Sequence, residues 1–516
     1  MPQSKLIFKP HFVQNGRGPH IEEFVFATDQ YGDVFKSNIK LDKEGIVITD
    51  SAGVEKFGIN LRWNVEGYGF LYIGADNGGE LYSLENDESK TLNLNYELAN
   101  SRVKRNQKRL QKFLSEGFIP SREVKALHEL SQEYLSDAEK TKETNEKITA
   151  VKSQTALKHA LWVSDLLELE KAKFDVAKIG YRNDFFFGCD TRGYFQMDQE
   201  LFFERFTELF NYATITHYLK GDVVDFEPEE GKKQFKERDE LLNKLLDKGI
   251  TVEGRPLFWT HTWVTPDWLK KKLYKDLLKY VEDHVYTVVS HYGDKIKVWE
   301  VVNEMHDWAN ELQLNHEQTI ELTKIAFDTA RKTNPNIQLL LNNCCPFGDY
   351  VQKGKWHLIE AKYPQRTPHQ FTKQLIEAGV DFDIVGVQVY FTHRSAADQI
   401  LQIERYKEFD KKVHLAEVGS PSIGIKQEFN EEDMGSYSQH PYEWHRHWDE
   451  EVQADWLEYT FTYAYGQEFI EAANWYDFVD PYGFLKSGGI LRSPKGEKKA
   501  AVDRLIKLKE QFKSIK

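Results

Sequence analysis

Trp299-Glu300-Val301-Val302-Asn303-Glu304 follows a short apolar and β-branched run, Ile296-Lys297-Val298, and ends in a polar pair. Such a run, closing on an amide and a carboxylate, is the pattern of a buried parallel strand that ends at a polar rim. A second run, Val413-His414-Leu415-Ala416-Glu417, also ends on a carboxylate. Two glutamates at the ends of two buried strands point to paired-carboxylate chemistry, provided the intervening chain brings the strands together.

Outward from these runs, strand-like and helical segments alternate from about residue 181. The strand-like segments fall at 184–188, 212–215, 251–254 with 257–259, 296–302, 337–341, 382–387, 413–416 and 472–475. Helical spacing appears at 202–210, 235–248, 273–291, 315–332 and 450–466. This strand count with intervening helices predicts an α/β fold, a (β/α)8 TIM barrel. A doubly wound open sheet competes, but no Gly-rich phosphate loop follows the first strand.

Residues 1–95 read as β, with runs at 23–28, 45–49, 58–63 and 69–73 separated by clusters such as Ala75-Asp76-Asn77-Gly78-Gly79. A small N-terminal β-sandwich module is predicted, with carbohydrate binding and plain packing both open as its role. Residues 96–178 carry apolar side chains at helical spacing and many Glu-Lys neighbours, predicting a helical connector. Leu127, Leu130, Leu135, Ile148, Val151, Leu157, Leu161, Leu166 and Leu167 outline a helical hairpin without visible chemistry. The catalytic barrel is then assigned to 179–516.

Bulk properties narrow the classes. A chain of 516 residues implies two or three units. Hydrophobic content of 40%, with 14% aromatic, suits large cores and, weakly, sugar stacking. A net charge of −14 argues against nucleic acid or another polyanionic partner. No apolar run is long enough to span a bilayer, so no membrane partner is expected. The start, Met1-Pro2-Gln3-Ser4-Lys5, has no apolar signal core behind it, which reads as cytoplasmic; a mature form of an exported protein would look the same. Cys189, Cys344 and Cys345 have no metal-ligand spacing and are expected to be buried thiols.

Barrels keep their chemistry at the carboxyl ends of the strands. Those ends read Cys189-Asp190; Thr216-His217 with Lys220; Trp259-Thr260-His261; Asn303-Glu304; Asn342-Asn343; Gln388 with Tyr390; Glu417; and Trp475 with Asp477. The strand bodies read as apolar. Two glutamates among amides, His, Lys and Trp fit glycoside hydrolysis, in which one carboxyl protonates the leaving oxygen and the other attacks the sugar or activates water. Zinc spacings are missing from these strand ends, no Gly-x-Ser-x-Gly elbow occurs, and neither metal nor cofactor is called for.

Several ordered motifs now make residues 181–505 resemble glycoside hydrolase family 10, the retaining endo-β-1,4-xylanase family. Residues Trp299 to Glu304 resemble its Trp-Asp-Val-Val-Asn-Glu, and Leu415-Ala416-Glu417 its Ile-Thr-Glu. Gly386-Val387-Gln388 resembles Gly-Leu-Gln of strand six, and Asn342-Asn343 the Asn-Asp of strand five. Trp259 with Thr265-Pro266-Asp267-Trp268, Phe210-Asn211 with Lys220, Glu227-Pro228-Glu229-Glu230-Gly231 and Asn474-Trp475 match further segments in order. Residues 91–120 resemble the lead-in of a subgroup with an extra N-terminal β-module.

The resemblance implies Glu304 as acid/base and Glu417 as nucleophile, about 5–5.5 Å apart as retention requires. It implies Asn303 on the sugar hydroxyl beside the reacting carbon, Gln388 and Tyr390 steadying Glu417, and Trp259 and Trp475 framing the sugar. Lys220, His217, Arg255 and Asn342 complete the implied binding set. Departures lie around the sugar: Arg255 and His217 replace the family's His and Asn, Gly221 replaces a Trp, and Tyr390 replaces the His that steadies the nucleophile. Arg255 is expected either to meet a substrate anion or to pair with a rim carboxylate.

The segment 419–450, with His440-Pro441-Tyr442-Glu443-Trp444-His445-Arg446-His447-Trp448, reads as a sugar-stacking or lid loop, or as a loop packed on the barrel. The expected substrate is β-1,4-linked xylan or xylo-oligosaccharides. The alternatives are a decorated or non-xylan β-glycan, exo action on imported oligosaccharides, and, remotely, a non-catalytic glycan-binding barrel. Oligomeric state is left open.

Overall fold

The computed structural model describes residues 5–11, 25–84, 89–357, 359–390, 394–424 and 443–515. Among these, eight parallel strands close into a barrel: β1 (Phe186–Asp190), β2 (Tyr212–Thr216), β3 (Thr251–Arg255), β4 (Val298–Asn303), β5 (Gln338–Asn343), β6 (Ile384–Val389), β7 (Lys412–Val418) and β8 (Ile470–Trp475). Each pairs with its sequence neighbour, β8 pairs with β1, and β3 pairs with β4, so no edge is left open. A short strand, Phe258–Trp259, continues β3 along the upper half of β4. Every strand expected from the sequence is present, with ends shifted by a few residues.

Helices Gln199–Leu209, Lys236–Asp247, Tyr274–Tyr292, His316–Thr333, Pro368–Glu377, Ala396–Arg405, Glu450–Tyr465 and Ala500–Ser514 cover the outside. Asn315 with Gln318, and Thr367 with Gln370, form capping boxes that fix two of their starts. The apolar layer between strands and helices is the largest core of the molecule. None of the described helices is long and apolar enough to cross a membrane.

The inside of the barrel is layered, as side chains of alternate strands require. Phe186, Tyr212, Val298, Leu340 and Ile384 form an apolar floor. Above it lie Glu253, Arg255, Glu300, Asn342 and His414, all essentially inaccessible. The expectation that strand bodies are apolar is therefore corrected: these residues point inward and meet one another, where the outward set meets helices. Tyr212 Oη donates to Glu253 Oε2 at 2.7 Å, and Arg255 Nε lies 2.9 Å from Glu300 Oε2. Paired charges can occupy such a site where single ones cannot.

Before the barrel come two four-stranded sheets. Leu6, Phe8, Ile46 and Ile48 of one share a core with Phe57, Ile59, Leu61, Trp63 and Ile73 of the other. Helices Leu94–Ser115, Arg122–Thr141 and Glu146–Ile179 follow, started by side-chain caps from Asn93, Ser121 and Asn145. The second and third form the expected hairpin. Arg105 pairs with Asp398 at 2.8 Å and Arg109 with Glu404 at 2.7 Å, tying the first helix to the barrel helix Ala396–Arg405. Within the segment 419–450, residues 425–442 lie outside the described residues. Trp444 and His445 pack on the third helix, where Trp444 Nε1 donates to Asp165 at 2.8 Å and His445 meets Trp162 edge-on. Cys189, Cys344 and Cys345 are buried thiols.

Candidate active site

A cavity of about 410 Å³ opens at the carboxyl ends of the strands. Asn303 and Glu304 reach it from the end of β4, Gln388 and Tyr390 from β6, Glu417 from β7, and Trp259 from the extension of β3. The sequence places these polar residues at, or one position either side of, the last residue of each strand, and the barrel gathers those ends on one rim.

The decisive contact is an amide. Gln388 Nε2 donates to Glu304 Oε1 at 2.7 Å and to Glu417 Oε1 at 3.2 Å. The two carboxylate oxygens are therefore no farther apart than these two lengths laid end to end. That falls short of the ~6.5–9.5 Å of an inverting pair and suits the ~5–5.5 Å of a retaining one. Burial, followed by the charge on Glu417, pushes the Glu304 carboxyl up to about 8.

Glu417 is clasped by donors. Its Oε1 also accepts from Asn342 Nδ2 at 3.2 Å and from an Arg255 guanidinium nitrogen, and its Oε2 accepts from Tyr390 Oη at 2.7 Å. Asn342 Nδ2 also donates to Glu300 Oε2 at 3.0 Å, so Arg255 and Asn342 each bridge Glu300 and Glu417. Arg255 thus pairs with carboxylates, the second of its two expected roles. It lies wholly buried beneath the cavity, away from any substituent a substrate could carry.

Besides Arg255 and Asn342 beneath the cavity, three more expected residues stand outside its lining. His217 faces the outer layer, with Nδ1 at 3.0 Å from Ile215 O, Nε2 at 3.1 Å from Tyr292 Oη, and its ring on Trp299. Trp475 is turned the same way: its Nε1 donates to Gly488 O at 3.0 Å and its ring meets Trp456 edge-on. Strand alternation is the reason, since the next residue in each case, Tyr218 or Tyr476, turns into the cavity, and their hydroxyls meet at 3.0 Å. Lys220 is partly exposed, and its charge is the smallest of those that lower the Glu311 carboxyl.

Aromatic residues complete the walls, and Tyr476, Phe484, Trp263, His357, Trp308 and Tyr350 among them join the expected Tyr390 and Trp259. Tyr390, Tyr476 and Phe484 contact one another on one side, while Trp259, His261, Trp263 and His357 form a chain on the other. Trp308 and Tyr350 continue that second wall. Gly221 has φ +78°, and a Cβ there would meet Trp263 O at 2.6 Å, so the loop after β3 lies directly on the loop after β2. Arg192 pairs with Asp190 at 2.9 Å and stacks over Tyr476. Among the described residues no group of three or more His, Cys, Asp or Glu is placed to hold a metal ion.

A closed (β/α)8 barrel carrying two carboxylates joined by one amide at its rim is the architecture of a glycoside hydrolase of the two-carboxylate kind. Comparison with known proteins narrows the class. The profile of "Glycosyl hydrolase family 10" matches residues 181–439, half of the chain. The chain is 26% identical over 230 residues to endo-1,4-beta-xylanase B of Thermotoga neapolitana, covering 43% of this chain and 61% of that one. It is 24% identical over 354 residues to endo-1,4-beta-xylanase 1 of Arabidopsis thaliana, covering 67% of this chain and 33% of the relative. It thus spans less than two thirds of the length of these curated relatives. Among solved structures, xylanase 10B from Thermotoga petrophila RKU-1 aligns with a TM-score of 0.47 and 18% identity, over 66% of this chain and 97% of that one. The chain belongs to glycosyl hydrolase family 10.

Proposed function

We propose that this protein is a retaining hydrolase of β-1,4-linked xylan or xylo-oligosaccharides. The observation that carries the mechanism is the shared Gln388 amide, which holds Glu304 and Glu417 at retaining distance. The family match and the printed names of the relatives support the substrate class.

In the first step Glu417 attacks the anomeric carbon while Glu304 gives its proton to the departing glycosidic oxygen. A covalent glycosyl ester on Glu417 and a free aglycone result. In the second step Glu304, now ionised, takes a proton from water, and that water displaces Glu417 from the same carbon. The high proton affinity of the Glu304 carboxyl suits the first role, and the four donors around Glu417 suit a charged nucleophile that they also aim. Asn303 at the rim faces the sugar bound between them, and Trp259 offers it a ring face.

A second reading, a decorated or non-xylan β-glycan, draws on one observation. Trp263 O fills the space over Gly221, at the place where the family pattern has Trp, so this wall is built differently. Product profiles on xylan, xylo-oligosaccharides and aryl β-glycosides, with the first-formed anomer followed by NMR, test both readings. Xylo-oligosaccharide products of β configuration are expected; α products would overturn retention, and turnover confined to other glycans would overturn the substrate.

A further inference from the structure

Resting on the assignment of Glu304 as acid/base, we propose that His306 is a positioning residue for the Glu304 carboxyl, and that the N-terminal β-sheets hold His306 in place through the loop after β5.

The chain leaves β4 in an unusual conformation. Glu304 has φ +52° and Asp307 φ +74°, the left-handed region that non-glycine residues avoid. A backbone turned this way needs partners beyond regular structure to fix the direction of the Glu304 side chain. Its own amide donates to Asn342 O at 3.0 Å. His306, two residues on, supplies the rest while being wholly inaccessible and no part of the cavity wall. Its Nε2 accepts from the Cys344 backbone N–H at 3.2 Å and lies 3.5 Å from Cys344 Sγ. Its Nδ1 therefore carries the proton and faces Tyr350 Oη at 2.9 Å. The Cys344 thiol, whose Sγ lies 3.4 Å from Cys345 Sγ, is also near enough to the Glu304 carboxyl to hold it down against burial. Burial lowers the imidazole to about 3, so the ring stays neutral and keeps this tautomer throughout the working range.

The same loop is gripped from behind. Cys344, Cys345, Tyr350 and Val351 share one buried apolar cluster with Phe26, Val34 and Tyr72 of the N-terminal sheets. Gln352 accepts from Ser37 N at 3.0 Å and Ser37 Oγ at 3.1 Å, and donates to Ser37 O at 3.0 Å. Among the described residues, none before Arg192 lines the cavity. Among the described residues this loop is one of the segments that join the N-terminal sheets to the barrel, beside Arg394, which bridges to Tyr72, and Thr367, which donates to Asp33. Both ring nitrogens of His306 are thus satisfied by the segment that carries Cys344, so the imidazole and that segment are fixed to each other.

The test separates proton donation from general damage. Phenyl β-xylobioside has a leaving group that needs a proton; 2,4-dinitrophenyl β-xylobioside has one that does not. In His306→Ala, kcat/KM for the phenyl substrate is expected to fall about tenfold more than for the dinitrophenyl one, because a misaimed acid costs only the step that uses it. Tyr350→Phe, which removes the hydroxyl that meets Nδ1 and donates to the His306 and Arg366 carbonyls, and keeps the fold if His306→Ala does not, is expected to change the ratio in the same direction. Gln352→Ala, on the N-terminal side of the loop, is expected to change it by about threefold. Equal losses on both substrates in these variants overturn the proposal, because a structural role lowers both alike. Glu304→Gln is the reference: if it fails to separate the two substrates, the acid/base assignment falls. If it separates them and the His306, Tyr350 and Gln352 variants do not, the positioning role alone falls.

Discussion

Glu304 and Glu417 stand on either side of one amide nitrogen, yet the protein surrounds them in opposite ways. Glu417 accepts from Arg255, Asn342, Gln388 and Tyr390, and its side rests on a column of charged residues inside the barrel. Glu304 has the Gln388 amide and the Cys344 thiol, and behind it lie a neutral imidazole and apolar packing. One side offers donors and a cation to a negative group. The other withdraws solvent from a carboxyl, which favours its protonated form. Two identical side chains thus acquire different work from their neighbours, and the difference can be tested from each side.

The largest expected effect comes from emptying the donor-rich side. Glu417→Ala should lower turnover by about 10⁴-fold or more, and azide or formate should restore it with an inverted product. Unchanged activity in that variant would show that the donors surround the wrong carboxylate. Next is the dry side: Glu304→Gln should lower kcat/KM by about 10³-fold for substrates with poor leaving groups, and far less for dinitrophenyl glycosides. Comparing leaving groups in steady-state assays checks this. A smaller effect is expected from Tyr390→Phe, which removes one hydrogen bond to a charged acceptor, worth about 1.5–3 kcal/mol, or about ten- to a hundredfold in kcat. A loss seen only in KM would mean that Tyr390 serves substrate binding instead. The mildest probe is pH. Glu304 acts while protonated, so kcat/KM should hold below about 8 and fall about tenfold per unit above it. Glu304→Gln should lack this basic limb.

The barrel and its rim were legible because the strands end in polar residues at regular intervals, and both glutamates lie at such ends. What escaped was parity. His217 and Trp475 were expected at the sugar, but each is one residue too early, and its successor, Tyr218 or Tyr476, lines the cavity. A period of two gives the alternation; only the paired strands show which set points inward. The charged middle layer escaped for a related reason. Glu253, Arg255, Glu300 and His414 are scattered over three strands and become neighbours only on closure. The grip of Phe26, Val34 and Tyr72 on the loop after β5 joins segments some 300 residues apart, beyond any local pattern.

In the proposed mechanism, the placement of Arg255 between Glu300 and Glu417 bears on the lifetime of the covalent state. Once Glu417 is esterified it no longer offers a charge to the guanidinium, and a buried cation without an anion is costly. Glu300, 2.9 Å from the Arg255 Nε, stays in contact with the guanidinium as its second carboxyl partner. The ester then waits for water beside a cation that still has a carboxyl partner one layer down the barrel.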